Sequence, residues 1–352
     1  MNEKPVSLSV IIANYNYAEF VGQAIESALA IDWPDVEVIV VDDGSTDNSR
    51  SVIERFGDRI VAIFQPNAGQ VAARNVGFAR SRGDAVILLD SDDVLHPSIM
   101  RAAARVWHRG VSKVQFRMRI IDAGGRPNGS LFPQYTAEAT VPANVRRWAL
   151  ATGSYPTPPC SGNLFSRACL AAIFPLDESC GKAPDTCCIA AAPFLGDVVT
   201  VDQPLVDYRV HGRNDGAVTE LDETRFGWQT ANAIQRFEYA QRIAARAGFA
   251  IPDSARHLAF PQLRFRIASY RLAPERHPIR GDSTLRALRD IIRAATTPQG
   301  ARLQAVLATA AWGVLVLLSP RGIAKGLIHW RLSPGARPPA LRSALSAIGI
   351  VR

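Results

Sequence analysis

With 352 residues, 47% of them apolar and 20% charged, the chain can bury a sizeable core and is too apolar to be a disordered polymer. Its five cysteines (Cys160, Cys169, Cys180, Cys187 and Cys188) are odd in number and form no C-x-x-C pair, which excludes a zinc ribbon and argues against a disulfide framework. The net charge of +8 is uneven: from Ser254 onward there are 16 Lys+Arg against 3 Asp+Glu, so only the tail suits a polyanion or an anionic membrane, and nothing points to nucleic acid.

The chain opens MNEKPVSLSVIIANYN, a polar start followed at once by an aliphatic run. No signal peptide is legible in it, and a cytoplasmic protein is expected. Leu8–Ala13 reads as a strand buried on both faces, because it is apolar without alternation. A helix follows from about Ala18 to Ala30, with Phe20, Ala24, Ile25, Ala28 and Leu29 on one face. Val36–Val41 is the next strand and runs into Asp42-Asp43-Gly44-Ser45-Thr46-Asp47, where Ser45, Thr46 or Asp47 can cap a helix reaching about Phe56. A third strand spans Ile60–Phe64 and a helix about Val71 to Ser81; Gly83-Asp84 then turns into Val86–Asp93, VILLDSDD. This alternation implies right-handed crossovers and a doubly wound, mostly parallel α/β sheet.

Asp90, Asp92 and Asp93 stand where that last strand ends, the place at which open α/β sheets bind ligands. Carboxylates this close repel one another and call for a cation, and oxygen ligands suit Mg²⁺ or Mn²⁺. The plainer alternative is an acidic turn capping the next helix. The chain has neither G-x-G-x-x-G after its first strand nor G-x-x-x-x-G-K-[ST] anywhere. An aromatic (Tyr15), an acid pair (Asp42, Asp43) and a metal at the acid cluster would together suit a nucleoside diphosphate bound without a glycine cradle. A nucleotidyltransferase would normally add a Gly/Lys-rich segment near the first strand. A phospho-receiver would need a lone acceptor Asp and a later Lys.

The segments SVIIANYN, VIVVDDGSTDNS, NAGQVAARNVG and ARSRGDAVILLDSDD, in this order, resemble the family 2 glycosyltransferases of GT-A fold over residues 6–110. The resemblance implies that Tyr15 stacks on the base with Ala13 beside it, and that Asp43 contacts the base edge. It also implies that Asn67, Gly69, Arg74 and Asn75 line the donor pocket. Asp90, Asp92 and Asp93 map to the D-x-D motif, with Asp92 near the ribose and the metal and Asp93 a metal ligand.

Farther on, a helix is expected from Ser98 to about Arg109, a strand over Lys113–Ile121 and a turn at Asp122-Ala123-Gly124-Gly125. Residues 126–160 read as loops, facing the acceptor or the solvent. Arg147-Trp148 resembles the R-W of processive synthases. Asn144 stands where Gln is expected, however, and the pair precedes the candidate base, which implies a single-addition enzyme. Cys160–Phe165 and Phe174–Glu178 resemble the family's acceptor-side segment. Where its E-D pair should follow, the chain reads Ala183-Pro184-Asp185-Thr186 at the start of an apolar helix, so the Asp is kept and the Glu is replaced by Pro. Asp185, 92 residues after Asp93, is the candidate catalytic base; complementing the helix dipole is its alternative role. Asp207-Tyr208-Arg209-Val210-His211 resembles the family's Y-R-x-H ending, which implies that His211 approaches the metal or diphosphate.

From about Thr219 helices are expected over Thr224–Ala247, Ser254–Leu272 and Thr284–Ala295, then an uncharged stretch, Gln304–Leu318, at the lower limit of a membrane span. Residues 1–215 are expected to form the GT-A unit and 216–352 a basic helical region on the inner face of the cell membrane. The resulting expectation is a metal-dependent, inverting transferase. It would move a sugar from a nucleoside diphosphate sugar, UDP-linked by default, to a glycan or lipid-linked acceptor hydroxyl, in bacterial surface polysaccharide or glycolipid assembly. A non-catalytic sugar-nucleotide binder is the alternative that the missing Glu leaves open.

Overall fold

In the computed structural model, residues 7–180, 184–212, 214 and 223–332 are described. The aliphatic runs form β1 (Leu8–Asn14), β2 (Val36–Asp42), β3 (Val61–Phe64) and β4 (Ala85–Asp90), paired in parallel in the order β3-β2-β1-β4. Their side chains alternate between two cores. Leu8, Val10, Ile12, Val38, Val40, Ile87 and Leu89 pack toward α1 (Val21–Leu29), while Ile11, Val86 and Leu88 face the opposite side. Burial on both faces is why these strands carry no polar alternation. Between them lie α2 (Ser49–Glu54) and α3 (Gln70–Arg80). The cap of α2 departs from expectation: its N-cap is Asn48, while Asp47 Oδ1 accepts from the Ser49 N–H at 2.9 Å.

Past β4 the sheet changes direction. β5 (Val94–Leu95), α4 (Ile99–Ala104), β6 (Val111–Ile121) and β7 (Pro127–Phe132) come next. α5 (Pro142–Thr152), β8 (Asn163–Ser166), α6 (Arg167–Ala171), α7 (Pro184–Leu195) and β9 (Asp197–Arg209) complete this part. β8 is antiparallel to β4 and β6, β9 is parallel to β6, and β5 is antiparallel to the end of β9. Residues 126–160 are thus not simply loops. β7 extends the sheet, and α5 buries Val145, Trp148 and Ala149 in the core. Trp148 is a packing residue, its ring filling the space above Gly300.

The C-terminal helices are α8 (Glu223–Arg246), α9 (Phe260–Leu272), α10 (Thr284–Thr296), α11 (Leu303–Leu318) and α12 (Arg321–Leu332). The helix expected from Ser254 begins instead at Phe260, after a 3-10 turn over Asp253–Ala255. α8 contributes Phe237, Ala240 and Ile243 to the sheet core and Phe226 to a separate core shared by α9–α12. The uncharged stretch is one of those packed helices: α11 seats Trp312, Gly313, Val316 and Leu317 inward, with Gly313 against Ile267 and Ile291. Among the described residues no helix is long and apolar enough to cross a membrane. The basic residues Arg337 and Arg342, and the 215/216 boundary, lie outside the described residues.

Two of the three tail acids are buried around one arginine. Arg266 donates to both oxygens of Asp282 (2.8 and 2.6 Å) and to Asp290 Oδ2 (2.8 Å), and His277 Nε2 meets Asp282 Oδ2 at 3.0 Å. Burial opposes ionisation of Asp282, but the hydrogen bonds from Arg266 and His277 outweigh it and hold the carboxyl well below the usual carboxylate range. Removing one partner of such a buried pair costs about 3–5 kcal/mol, so Asp282→Asn should lower the melting temperature clearly at pH 7. Because the folded-state pKa is depressed, the stabilisation is present above the unfolded value of about 4 and is lost as pH falls below it. The difference between wild type and Asp282→Asn in thermal unfolding should therefore shrink from pH 5 toward pH 2. A difference independent of pH would contradict the ion-pair account.

Candidate active site

Register brings the candidate residues to one edge. Asn14 lies opposite Asp42, and Ala13 opposite Asp90, so β1, β2 and β4 end together at their carboxyl ends. Tyr15 projects beyond β1 and is 46% exposed, the exposure a stacking platform needs. Asn16 follows in the left-handed region, at φ 57°, and its Oδ1 accepts from the N–H groups of Thr46 (2.7 Å) and Asp47 (3.2 Å). The segment after β1 is thus laced to the loop after β2. Asp42 anchors that lacing by accepting from Asn14 Nδ2 (2.8 Å) and from the Ser45 N–H and hydroxyl.

Asp43 is buried and organises the next loop. It accepts from Gln65 Nε2 (2.7 Å) and the N–H groups of Ala68 (3.0 Å) and Gly69 (2.8 Å). Gly44, at φ 74°, lies so close to this loop that a Cβ would meet Asn67 N at 2.6 Å. Asn67 is exposed, and Gly69, at φ 88°, opens α3 with free space beside it. One turn into α3, Arg74 is buried and donates to Asp90 Oδ1 (2.9 Å) and to Cys160 Sγ (2.9 Å). Asn75 clamps Leu176 through both its backbone groups, at 2.9 and 2.8 Å. Arg74 and Asn75 therefore bind protein groups from two sides of the site.

The three acids have different surroundings. Burial raises Asp90 to about 7; Arg74 opposes the shift, and the charges of Asp185 and Asp92 add to it. Asp92 is also raised by burial, against which His211 works: its Nε2 lies 3.0 Å from Asp92 Oδ2, and Asn214 Nδ2 donates to the same oxygen at 3.1 Å. Asp93 is raised well above the ordinary range by burial and by the neighbouring Asp92 and Asp90. Its Oδ1 accepts from the Arg209 N–H (3.0 Å), whereas its Oδ2 is buried with no hydrogen-bond partner among the described residues.

An orphaned carboxylate oxygen in a repulsive cluster fits a hard divalent cation. Among the described residues no three His, Cys, Asp or Glu side chains close a cage around an ion, and Mg²⁺ commonly takes one or two carboxylates plus substrate phosphates.

Two participants escaped the sequence reading. Arg209, buried at the end of β9, donates to the carbonyls of Asp92 (2.8 Å) and Ala123 (2.9 Å), and its guanidinium lies over the Phe20 ring. Asn214 bridges Asp92 to the Arg209 carbonyl (3.0 Å). The Y-R-x-H pattern carried the signal for Arg209. Nothing local marks Asn214. The pairing of β5 with β9 explains the convergence, since Val94 opposite Asp207 sets the acid turn beside the end of β9.

Asp185 occupies the first turn of α7 and is partly exposed; Ala183 before it lies outside the described residues. Its charge acts on Arg74, Asp90 and Cys160, which puts it in the same electrostatic field as the acid cluster. Other acids near in sequence are differently placed. Asp177 and Glu178 are exposed in the preceding loop, and Asp197 is held by Arg146 at 3.0 Å on the side of α5. All five cysteines are free and buried, as expected of small hydrophobes.

Known proteins share both the sequence and the fold. The glycosyl transferase family 2 model matches residues 9–174. An uncharacterized glycosyltransferase of Nostoc sp. is 34% identical over 270 residues, taking in 74% of this chain and 83% of that protein. The chain belongs to glycosyltransferase family 2. The succinoglycan biosynthesis protein ExoO of Rhizobium meliloti is 32% identical to this transferase over 154 residues, or 41% of this chain and 44% of that protein. Among solved structures, S. aureus TarS 1-349 superposes with a TM-score of 0.50 at 18% identity, covering 88% of this chain and 90% of that one. A mannosyltransferase from Pyrobaculum calidifontis, in complex with GDP-Man and Mn²⁺, gives 0.50 at 19% identity over 95% and 86%. These likenesses show the GT-A fold for this family 2 enzyme.

Proposed function

We propose that this glycosyltransferase moves a sugar from a nucleoside diphosphate sugar, UDP-linked by default, to an acceptor hydroxyl with inversion at the anomeric carbon, and that residues 1–215 are the catalytic unit. The observation that carries the reading is the cluster of Asp90, Asp92 and Asp93 at the carboxyl edge of the sheet, with the charge of Asp185 acting on Asp90. Mg²⁺ or Mn²⁺ held by Asp92 and Asp93, with His211 beside them, would neutralise the departing diphosphate. Tyr15 would stack on the base, with Ala13, Asp43, Asn67 and Gly69 shaping its pocket. Arg74 holds Asp90 in place toward the sugar. Asp185 takes the acceptor's proton as its oxygen attacks from the face opposite the leaving group. The GDP-Man and Mn²⁺ of the Pyrobaculum structure support the class of donor and cation. The likeness to ExoO supports a place in surface polysaccharide assembly.

A thermal-shift panel of UDP-, GDP- and dTDP-sugars with and without Mn²⁺ tests this. The matching donor at 100 times its Kd should add roughly 2.7 kcal/mol of stability, and only with the metal. No shift with any of them would end the reading.

The tail supports a peripheral site of action. Leu285, Ile292, Leu303, Leu307, Leu318 and Ile323 are exposed on α10–α12 among arginines, a composition suited to the anionic inner face of a cell membrane. The full chain should co-sediment with vesicles containing phosphatidylglycerol at low salt. A protein left wholly in the supernatant would contradict it.

A further inference from the structure

β4 loses its sheet partner on one side just before the acids. β8 pairs with it only from Ala85 opposite Ser166 to Ile87 opposite Leu164. Beyond Ile87 the backbone groups on that edge still need partners. Two side chains supply them: Cys160 Sγ donates to the Leu88 carbonyl at 3.0 Å, and Ser161 Oγ accepts from the Asp90 N–H at 3.1 Å. Both belong to a 3-10 turn over Cys160–Gly162 that stands in for the missing strand. Gly162 lets the turn close, because a Cβ there would meet Pro158 Cβ at 2.6 Å and Met118 Sδ at 2.9 Å.

A buried lysine fastens this turn from behind. Lys113 of β6 is fully buried, and its Nζ donates to Asn163 Oδ1 (2.7 Å), Thr157 Oγ1 (2.8 Å) and Gln115 Oε1 (3.0 Å). Asn163 Nδ2 donates in turn to the carbonyls of Pro159 (2.8 Å) and Cys160 (3.1 Å). Burying a lysine against neutral groups is costly, and here the contacts that offset the cost converge on one loop. What the loop holds is Arg74. Cys160 Sγ accepts from Arg74 Nη1 at 2.9 Å, while Arg74 Nη2 donates to Asp90 Oδ1 at 2.9 Å. The thiol, kept protonated by burial, thus gives its hydrogen to β4 and its lone pairs to the guanidinium.

We propose that Cys160 is a positioning residue of the transfer reaction. From the turn fastened by Lys113 and Asn163, its thiol fixes the guanidinium of Arg74, and through it the direction of the Asp90 carboxylate toward the sugar. This rests on the transferase reading above and adds to it a buried residue that acts only through Arg74. A guanidinium held from two sides keeps one orientation, and a shift of about 1 Å at a reacting centre can cost on the order of a hundredfold in rate. Arg74 spends these bonds on protein groups, so the effect falls on turnover and not on nucleotide binding.

Turnover is read as nucleoside diphosphate released from the sugar nucleotide that the thermal-shift panel selects, with kcat and KM separated. Cys160→Ala should lower kcat about tenfold to a hundredfold, the weight of one hydrogen bond to a charged group, and leave the donor KM and the Mn²⁺-dependent shift with UDP near wild type. Cys160→Ser keeps a donor for Leu88 and an acceptor for Arg74, so it should restore most of the lost kcat. Cys169→Ala removes a buried thiol of α6 and controls for lost packing; it should lower the melting temperature without changing kcat. Should Cys160→Ala not fold, Cys160→Val, which fills the space without the acceptor, takes its place. An unchanged kcat in Cys160→Ala, a loss confined to KM, no recovery in Cys160→Ser, or an equal kcat loss in Cys169→Ala would overturn the proposal. A wild-type protein that binds no sugar nucleotide removes the transferase reading and this role together, whereas a wild type that turns over beside an equally active Cys160→Ala removes this role alone.

Discussion

Replacing Asp185 by Asn should lower turnover by about 10² to 10⁴, the usual weight of general base catalysis, while donor binding stays near wild type. The expectation rests on position. Asp185 sits in the first turn of α7, at the positive end of the helix dipole. Its charge reaches Asp90 and Arg74, so a sugar held at that edge lies within its influence. Rival acids are poorly placed, because Asp197 is bound to Arg146 and Glu178 is exposed in the loop before α7. The resemblance implies a Glu where Pro184 stands, so Asp185 would act as base without that partner. Steady-state kinetics with a matched donor decide the matter. Full turnover by Asp185→Asn, with loss in Glu178→Gln, would move the base one loop upstream.

Asp93→Asn should abolish transfer together with the Mn²⁺-dependent stabilisation by UDP, and leave the fold intact. Asp93 is buried, its Oδ2 has no hydrogen-bond partner among the described residues, and Asp92 and Asp90 repel its charge. Without a cation this charge is a burden on the folded state, so the neutral amide should match or exceed the wild-type melting temperature in the absence of ligand. The Asn Oδ1 can still accept from the Arg209 N–H, which keeps β9 in register. A variant whose Mn²⁺-dependent shift with UDP equals that of wild type would remove Asp93 as a ligand. A variant that unfolds would mean that its carboxylate has a structural partner instead.

The sequence by itself determined the parallel half of the sheet and the acids at its edge. Short unbroken aliphatic runs bounded by turn residues read as strands buried on both faces, and Leu8–Asn14, Val36–Asp42 and Ala85–Asp90 are such strands. Pro184-Asp185 likewise marked the start of an apolar helix correctly. These signals are local, carried by period and by turn chemistry.

What only the tertiary structure decided is the partner of each charge. Asp93 meets Arg209 across 116 positions, Asp92 meets His211 across 119, and Arg74 meets Cys160 across 86. No local pattern encodes such pairings, because sheet register and the antiparallel match of β5 with β9 create them. The tail shows the same limit. Sixteen basic residues against three acids suggested a tail suited to a polyanion or an anionic membrane, yet Arg266, Asp282 and Asp290 are buried together. An uncharged run of membrane-like composition became α11, packed on one face and exposed on the other. Composition fixes how apolar a helix is; only packing fixes which neighbour covers it.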